Sequence, residues 1–153
     1  VRYLLLYLVF TNLVQAAELT QEQAFNAYAI AFGNAGYIPP RAPTINLTDR
    51  QFICGFAKMK ADCPIRALTY PNGVIAVDKT LDFSDPFDAS ILIHEMVHYI
   101  DWSKDGPATN CSEWLRREQR AYTIQCQALE KIGVDASQVY LSLRMLQCQD
   151  PKQ

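Results

Sequence analysis

The stretch Ile91-Leu92-Ile93-His94-Glu95-Met96-Val97-His98-Tyr99-Ile100 is apolar apart from His94, Glu95 and His98. Upstream stands Asp85-Pro86, an N-cap residue type followed by the residue whose fixed φ suits the first helical position. A helix from Pro86 to about Trp102 is therefore predicted, with Asp101 to Pro107 as the loop after it. A helix that is apolar around its whole circumference is buried. This one is expected to form the centre of the molecule, with three polar side chains carried inside.

Those three residues have a spacing that chemistry can use. Histidines four apart on a helix project from one face about one turn apart, so both imidazoles can reach a single ion at zinc–nitrogen distances of about 2.0–2.1 Å. Glu95 falls beside such an ion, placed to take a proton from a water that the ion acidifies. The alternative, two histidines and a glutamate as ordinary core residues, leaves three polar groups to be satisfied in apolar surroundings, which is strongly unfavourable. The chain has 2 histidines in all, so a third imidazole ligand is impossible. The extended metzincin pattern is likewise excluded, because Asp101 and Lys104 stand where it needs Gly and His. The third protein ligand must be a carboxylate, a thiolate or something less usual.

Downstream, Asn110 with Glu113 resembles a capping box opening a helix of about residues 111 to 131, which ends before Gly133. At about 100° per residue, Trp114, Leu115, Ala121, Tyr122, Gln125 and Leu129 cluster around Glu118. Glu113, Arg116, Arg120 and Glu130 point away, so the arginines read as a solvated face. Glu118 sits at the centre of the inward face and needs a cation there, either a bound metal or a basic partner such as Arg66. Asp101, near one turn after His98, is the second carboxylate to weigh, and Cys111 a softer third choice. Tyr122, Tyr99 and the arginines are the groups that could stabilise an oxyanion, while Tyr122 and Gln125 could equally support a ligand.

Working back toward the N-terminus, Arg66–Tyr70 and Val74–Asp78 flank Pro71-Asn72-Gly73, a strong hairpin signal. Thr44–Leu47 reads as a further short strand, with a short helix opening at Thr48 or Asp49, and Tyr37–Pro43, with its prolines, as an irregular crossing segment. Thr20 and Gln23 form a capping box for a first helix of about 21 to 34, closed by Gly33 and Gly36. A last helix is expected from Asp135 to about Cys148. The fold class is α+β: one domain, a small antiparallel sheet packed on the central helix, and further N- and C-terminal helices.

The chain has 153 residues, half of them hydrophobic, with 14 Lys and Arg against 16 Asp and Glu. That balance offers no electrostatic footprint for nucleic acid or an anionic membrane. Residues 1–16 read as a signal peptide: Arg2, the apolar run Tyr3–Phe10, and a small-residue cleavage pattern at Val14-Gln15-Ala16. Residues 17–153 are then an exported domain, periplasmic or extracellular and bacterial, with no membrane association after cleavage. Export permits disulfides among Cys54, Cys63, Cys111, Cys126 and Cys148. Cys54 and Cys63 bracket a short loop and are the expected bridge. Cys111 and Cys126, on one helix and roughly 22 Å apart at 1.5 Å per residue, cannot pair.

The residues resemble the gluzincins, zincin metallopeptidases that combine this histidine motif with a glutamate on a later helix. Glu118-Gln119-Arg120-Ala121-Tyr122-Thr123-Ile124-Gln125 is similar to the Glu-x-x-Ala-Tyr-x-x-Gln helix of small bacterial zincin-like families. The resemblance covers about residues 65 to 130. It implies a zincin-like fold, His94, His98 and Glu118 as Zn2+ ligands, Glu95 as general base and later acid, and a peptide or protein as substrate. It also implies that Val74–Asp78 is the edge strand that holds an extended peptide by β-augmentation. Two other functions fit the same residues: an exported zinc-binding or protein-interaction domain without catalysis, and a zinc amidase acting on a non-peptide or cell-wall amide.

Overall fold

A computed structural model describes residues 18–60 and 63–148. The segment read as a signal peptide lies outside them. Eight elements follow in order: α1 (Gln21–Ala35), β1 (Thr44–Thr48), α2 (Arg50–Phe56), β2 (Ala67–Thr69), β3 (Val74–Asp78), α3 (Pro86–Asp105), α4 (Cys111–Lys131) and α5 (Ser137–Met145). The architecture is α+β, as expected, with five helices around a three-stranded sheet.

The helix starts follow their caps. Thr20 and Gln23 close a reciprocal capping box on α1, and Gly36 ends it with a left-handed φ of 64°. The Asp85 carboxylate accepts from the amides of Phe87 and Asp88 at the start of α3, with Pro86 at its first position. Asn110 caps α4 by accepting from the Glu113 amide, but Glu113 does not complete the box: its carboxylate accepts from the amide and hydroxyl of Thr109. Helix α3 continues one turn past the expected end and takes in Asp101, which is buried and ion-paired, before Gly106 stops it.

The sheet corrects two expectations. It is mixed rather than antiparallel, in the order β1-β3-β2, with β1 parallel to β3 and β2 antiparallel to it. A parallel neighbour needs a long crossover, and the chain between β1 and β3 supplies one through α2 and β2. Consequently Val74–Asp78 is the central strand, hydrogen-bonded on both sides, and has no free edge to offer a peptide. The apolar run Val74-Ile75-Ala76-Val77 is the signature of a strand covered on both faces. Ile75 and Val77 face the core with α3, while Ala76 faces Ile53 of α2.

Register then decides what meets α3. Thr69 pairs with Ile75 and Ala67 with Val77, and directly opposite residues share a face, so Thr69 points toward α3. The remaining sides of α3 pack against α1 and α4, which buries it from Leu92 to Met96 without interruption. Two disulfides staple the periphery: Cys54–Cys63, as expected, and Cys111–Cys148, which ties the first residue of α4 to the chain after α5. Cys126 is left as a buried thiol.

Candidate metal centre

His94 and His98 reach the boundary between α3 and α4, where Glu118 meets both. The Nε2 atoms of the two imidazoles are 3.0 Å apart. Glu118 Oε2 lies 3.4 Å from the first and Oε1 3.2 Å from the second. For tetrahedral zinc at about 2.0–2.1 Å from each ligand, ligand atoms stand about 3.3 Å apart. The imidazole separation is a little under that figure, each imidazole meets a different oxygen of Glu118, and these groups could hold a metal ion. The donor chemistry agrees. Two imidazoles and a carboxylate meeting at one point are a donor set that suits a divalent cation. His94 Nδ1 is buried without a hydrogen-bond partner among the described residues, so the polar contacts of that ring run through Nε2 into the shared point. The side chains of His94, His98 and Glu118 are 10, 19 and 16% exposed, a shielded centre that solvent can still reach.

Electrostatics bind the group together. Burial disfavours the charged Glu118 carboxylate, but hydrogen bonds from His94 and His98 outweigh it and bring the carboxyl down to about 2. Burial also opposes charge on His98. The hydrogen bond and charge of Glu118 reverse that and raise the imidazole above its ordinary value. The alternative partner for Glu118 is occupied elsewhere, because Arg66 pairs with Asp78 at 2.8 Å.

Glu95 is buried and stays outside the three-residue group. Its Oε2 accepts from the Thr69 hydroxyl at 2.8 Å, and its backbone carbonyl lies 2.9 Å from the same hydroxyl. Thr69 was invisible in the sequence, since nothing in a three-residue strand 26 positions upstream signals which helix residue it will touch. The only route to it is the register with β3.

The residues expected in support divide. Tyr122 packs its ring edge-on against His94, with centroids 4.4 Å apart. Burial, reinforced by the charges of Glu118 and Glu95, raises its phenol further and keeps it protonated. Gln125 does not touch the ligands. Its amide donates to Ser90 Oγ at 2.9 Å, joining α4 to α3 one turn before His94. The Tyr99 hydroxyl is committed to the carbonyl of Arg41. Cys111 is in a disulfide, which removes it as a ligand.

The helix projection erred on two sides of α4. Trp114 is exposed, and only part of the arginine face is solvated: Arg116 is exposed as expected, whereas Arg117 is buried against the Gly106 carbonyl and Glu113, and Arg120 pairs with Asp101. Both arginines lie off the apolar stripe yet face the end of α3, where α3 runs one turn longer than expected and presents Asp101 and a terminal carbonyl.

No family model, curated protein or solved structure matches the chain. The two disulfides suit an oxidising, exported environment. Among the described residues no helix is long and apolar enough to cross a membrane.

Proposed function

We propose that this chain is an exported zinc-dependent metallopeptidase. The observation that carries the proposal is a division of labour within one helix turn: His94 and His98 converge with Glu118, while the intervening Glu95 is held aside by Thr69. A closed structural zinc site uses four protein ligands, whereas three with an open position are the catalytic pattern. A carboxylate next to the ligands but outside their group stands where a catalytic site needs its proton acceptor.

His94, His98 and Glu118 would hold a zinc ion, which would supply Lewis acidity to the scissile carbonyl and to water. Glu95 takes the proton from the attacking water and returns it to the leaving nitrogen. Thr69 engages Oε2 and so holds the carboxylate in one orientation. Tyr122, protonated and packed against His94, is a side chain suited to donate to a developing oxyanion. An extended substrate cannot add to β3 and would instead pair with β2, whose outer side has no strand partner among the described residues and whose Thr69 already meets Glu95.

The test is zinc content and cleavage of a broad peptide library by the protein, beside Glu95→Gln and Glu118→Ala. Glu95→Gln is expected to retain zinc and lose cleavage, and Glu118→Ala to lose both. Undiminished cleavage by Glu95→Gln overturns the mechanism. Zinc at full occupancy with no turnover on any peptide favours a binding domain.

A further inference from the structure

Besides Glu95, two carboxylates act on His98, and one of them belongs to the metal-capable group. The other, Asp101, lies three residues after His98 on α3, is 4% exposed, and acts on the His98 imidazole through its charge. A carboxylate so buried requires a cation or a proton. Arg120 supplies the cation: one guanidinium nitrogen pairs with Asp101 Oδ1 and another lies 3.3 Å from the Asn34 carbonyl at the end of α1. Arg120 stands two residues after Glu118, so the helix that delivers the third ligand also delivers the group that occupies its competitor.

We infer that Arg120 is a positioning residue that selects the third ligand, reserving the centre for Glu118 by engaging Asp101 and so leaving a coordination position open. The inference rests on the metal reading of His94, His98 and Glu118. Without the guanidinium, Asp101 is a buried anion one turn from His98, and the bound metal is the cation available to compensate it. Recruiting Asp101 adds an oxygen ligand to a set of two nitrogens and one carboxylate. That closes the position a substrate or inhibitor needs. Arg117, also close to Asp101, is already engaged by the Gly106 carbonyl and Glu113 and cannot replace Arg120.

Cobalt(II) is the probe, because its visible absorption reports coordination number and ligand set. The full chain, Arg120→Gln, Arg120→Lys and the double variant Asp101→Asn/Arg120→Gln are loaded with Co2+ and titrated with acetohydroxamate. Arg120→Gln is expected to show weaker, shifted bands and at least tenfold poorer acetohydroxamate binding. The double variant, lacking the competing carboxylate, is expected to return to the parent spectrum and affinity. A structural role alone would not produce that rescue. An Arg120→Gln spectrum and affinity equal to the parent's, or a double variant as altered as Arg120→Gln, overturns the inference. Should Arg120→Gln not fold, Arg120→Lys keeps a cation on Asp101 and must match the parent, and a mismatch overturns it. If the parent takes up no Co2+, the underlying metal reading fails, a result distinct from the others.

Discussion

The hydroxyl of Thr69 reaches both ends of Glu95, 2.8 Å from its Oε2 and 2.9 Å from its backbone oxygen. One strand residue thereby orients a carboxylate on the helix beside it and fixes where that helix turn sits against the sheet. A hydrogen bond to a charged group is worth about 1.5–3 kcal/mol, or roughly tenfold to a hundredfold in rate if it is fully used in the transition state. Thr69→Val is expected to lower peptide cleavage by about tenfold or more on that basis while leaving zinc content unchanged. Thr69→Ser, which keeps the hydroxyl, should recover most of the rate. Equal rates for Val and Ser would show that the contact does not orient Glu95.

Removing the metal should be visible without any substrate. A ligand that binds only the folded state stabilises it by about 2.7 kcal/mol at a concentration one hundred times its Kd. Chelation of the zinc-loaded protein is therefore expected to lower its melting temperature by several degrees. Glu118→Ala should melt at a temperature that does not respond to zinc or chelator.

The metal-free protein should have a pH optimum of stability set by the same groups. The Glu118 carboxyl is depressed to about 2 in the folded state, so its contribution is present above its unfolded value and is lost as pH falls toward 2. The His98 imidazole is raised, so its contribution is full below its unfolded value of about 6.5 and is lost as pH rises through the folded one. The pair stabilises the metal-free fold most between about pH 4.5 and 6.5. Zinc affinity should move the other way, rising with pH as protons leave the imidazoles. Melting curves from pH 3 to 9, with and without zinc, check both signs. A metal-free protein that gains stability from pH 6.5 to 8.5 would contradict the assignment.

The Cys111–Cys148 bridge closes a separation of 37 residues around α4 and α5. Replacing both cysteines with serine is expected to destabilise the fold by about 2–4 kcal/mol in denaturant melts. Helix α4 begins at Cys111 and carries Glu118 two turns later, so zinc affinity measured on the same variant tells whether the staple also serves the centre.

What the sequence determined by itself is the set of features that depend on local spacing. Thr20, Asp85 and Asn110 set the helix starts, Pro71-Asn72-Gly73 set the hairpin, and a short intervening loop pointed to the Cys54–Cys63 bridge. Helical geometry alone put His94 and His98 on one face, and the inward stripe of α4 brought Glu118 to them. Tertiary structure decided everything that depends on which element lies beside which. The apolar run and the turn before it say that Val74–Asp78 is a strand but not that both its edges are taken, because backbone hydrogen bonding to a neighbour leaves no mark in side-chain pattern. The same holds for Thr69, whose role follows from its register opposite Ile75, and for Arg120, which is off the apolar stripe yet is drawn inward by the buried charge of Asp101. Periodicity measures one element against an average environment. Polar contacts between elements depend on the particular neighbour, and only the packed chain supplies it.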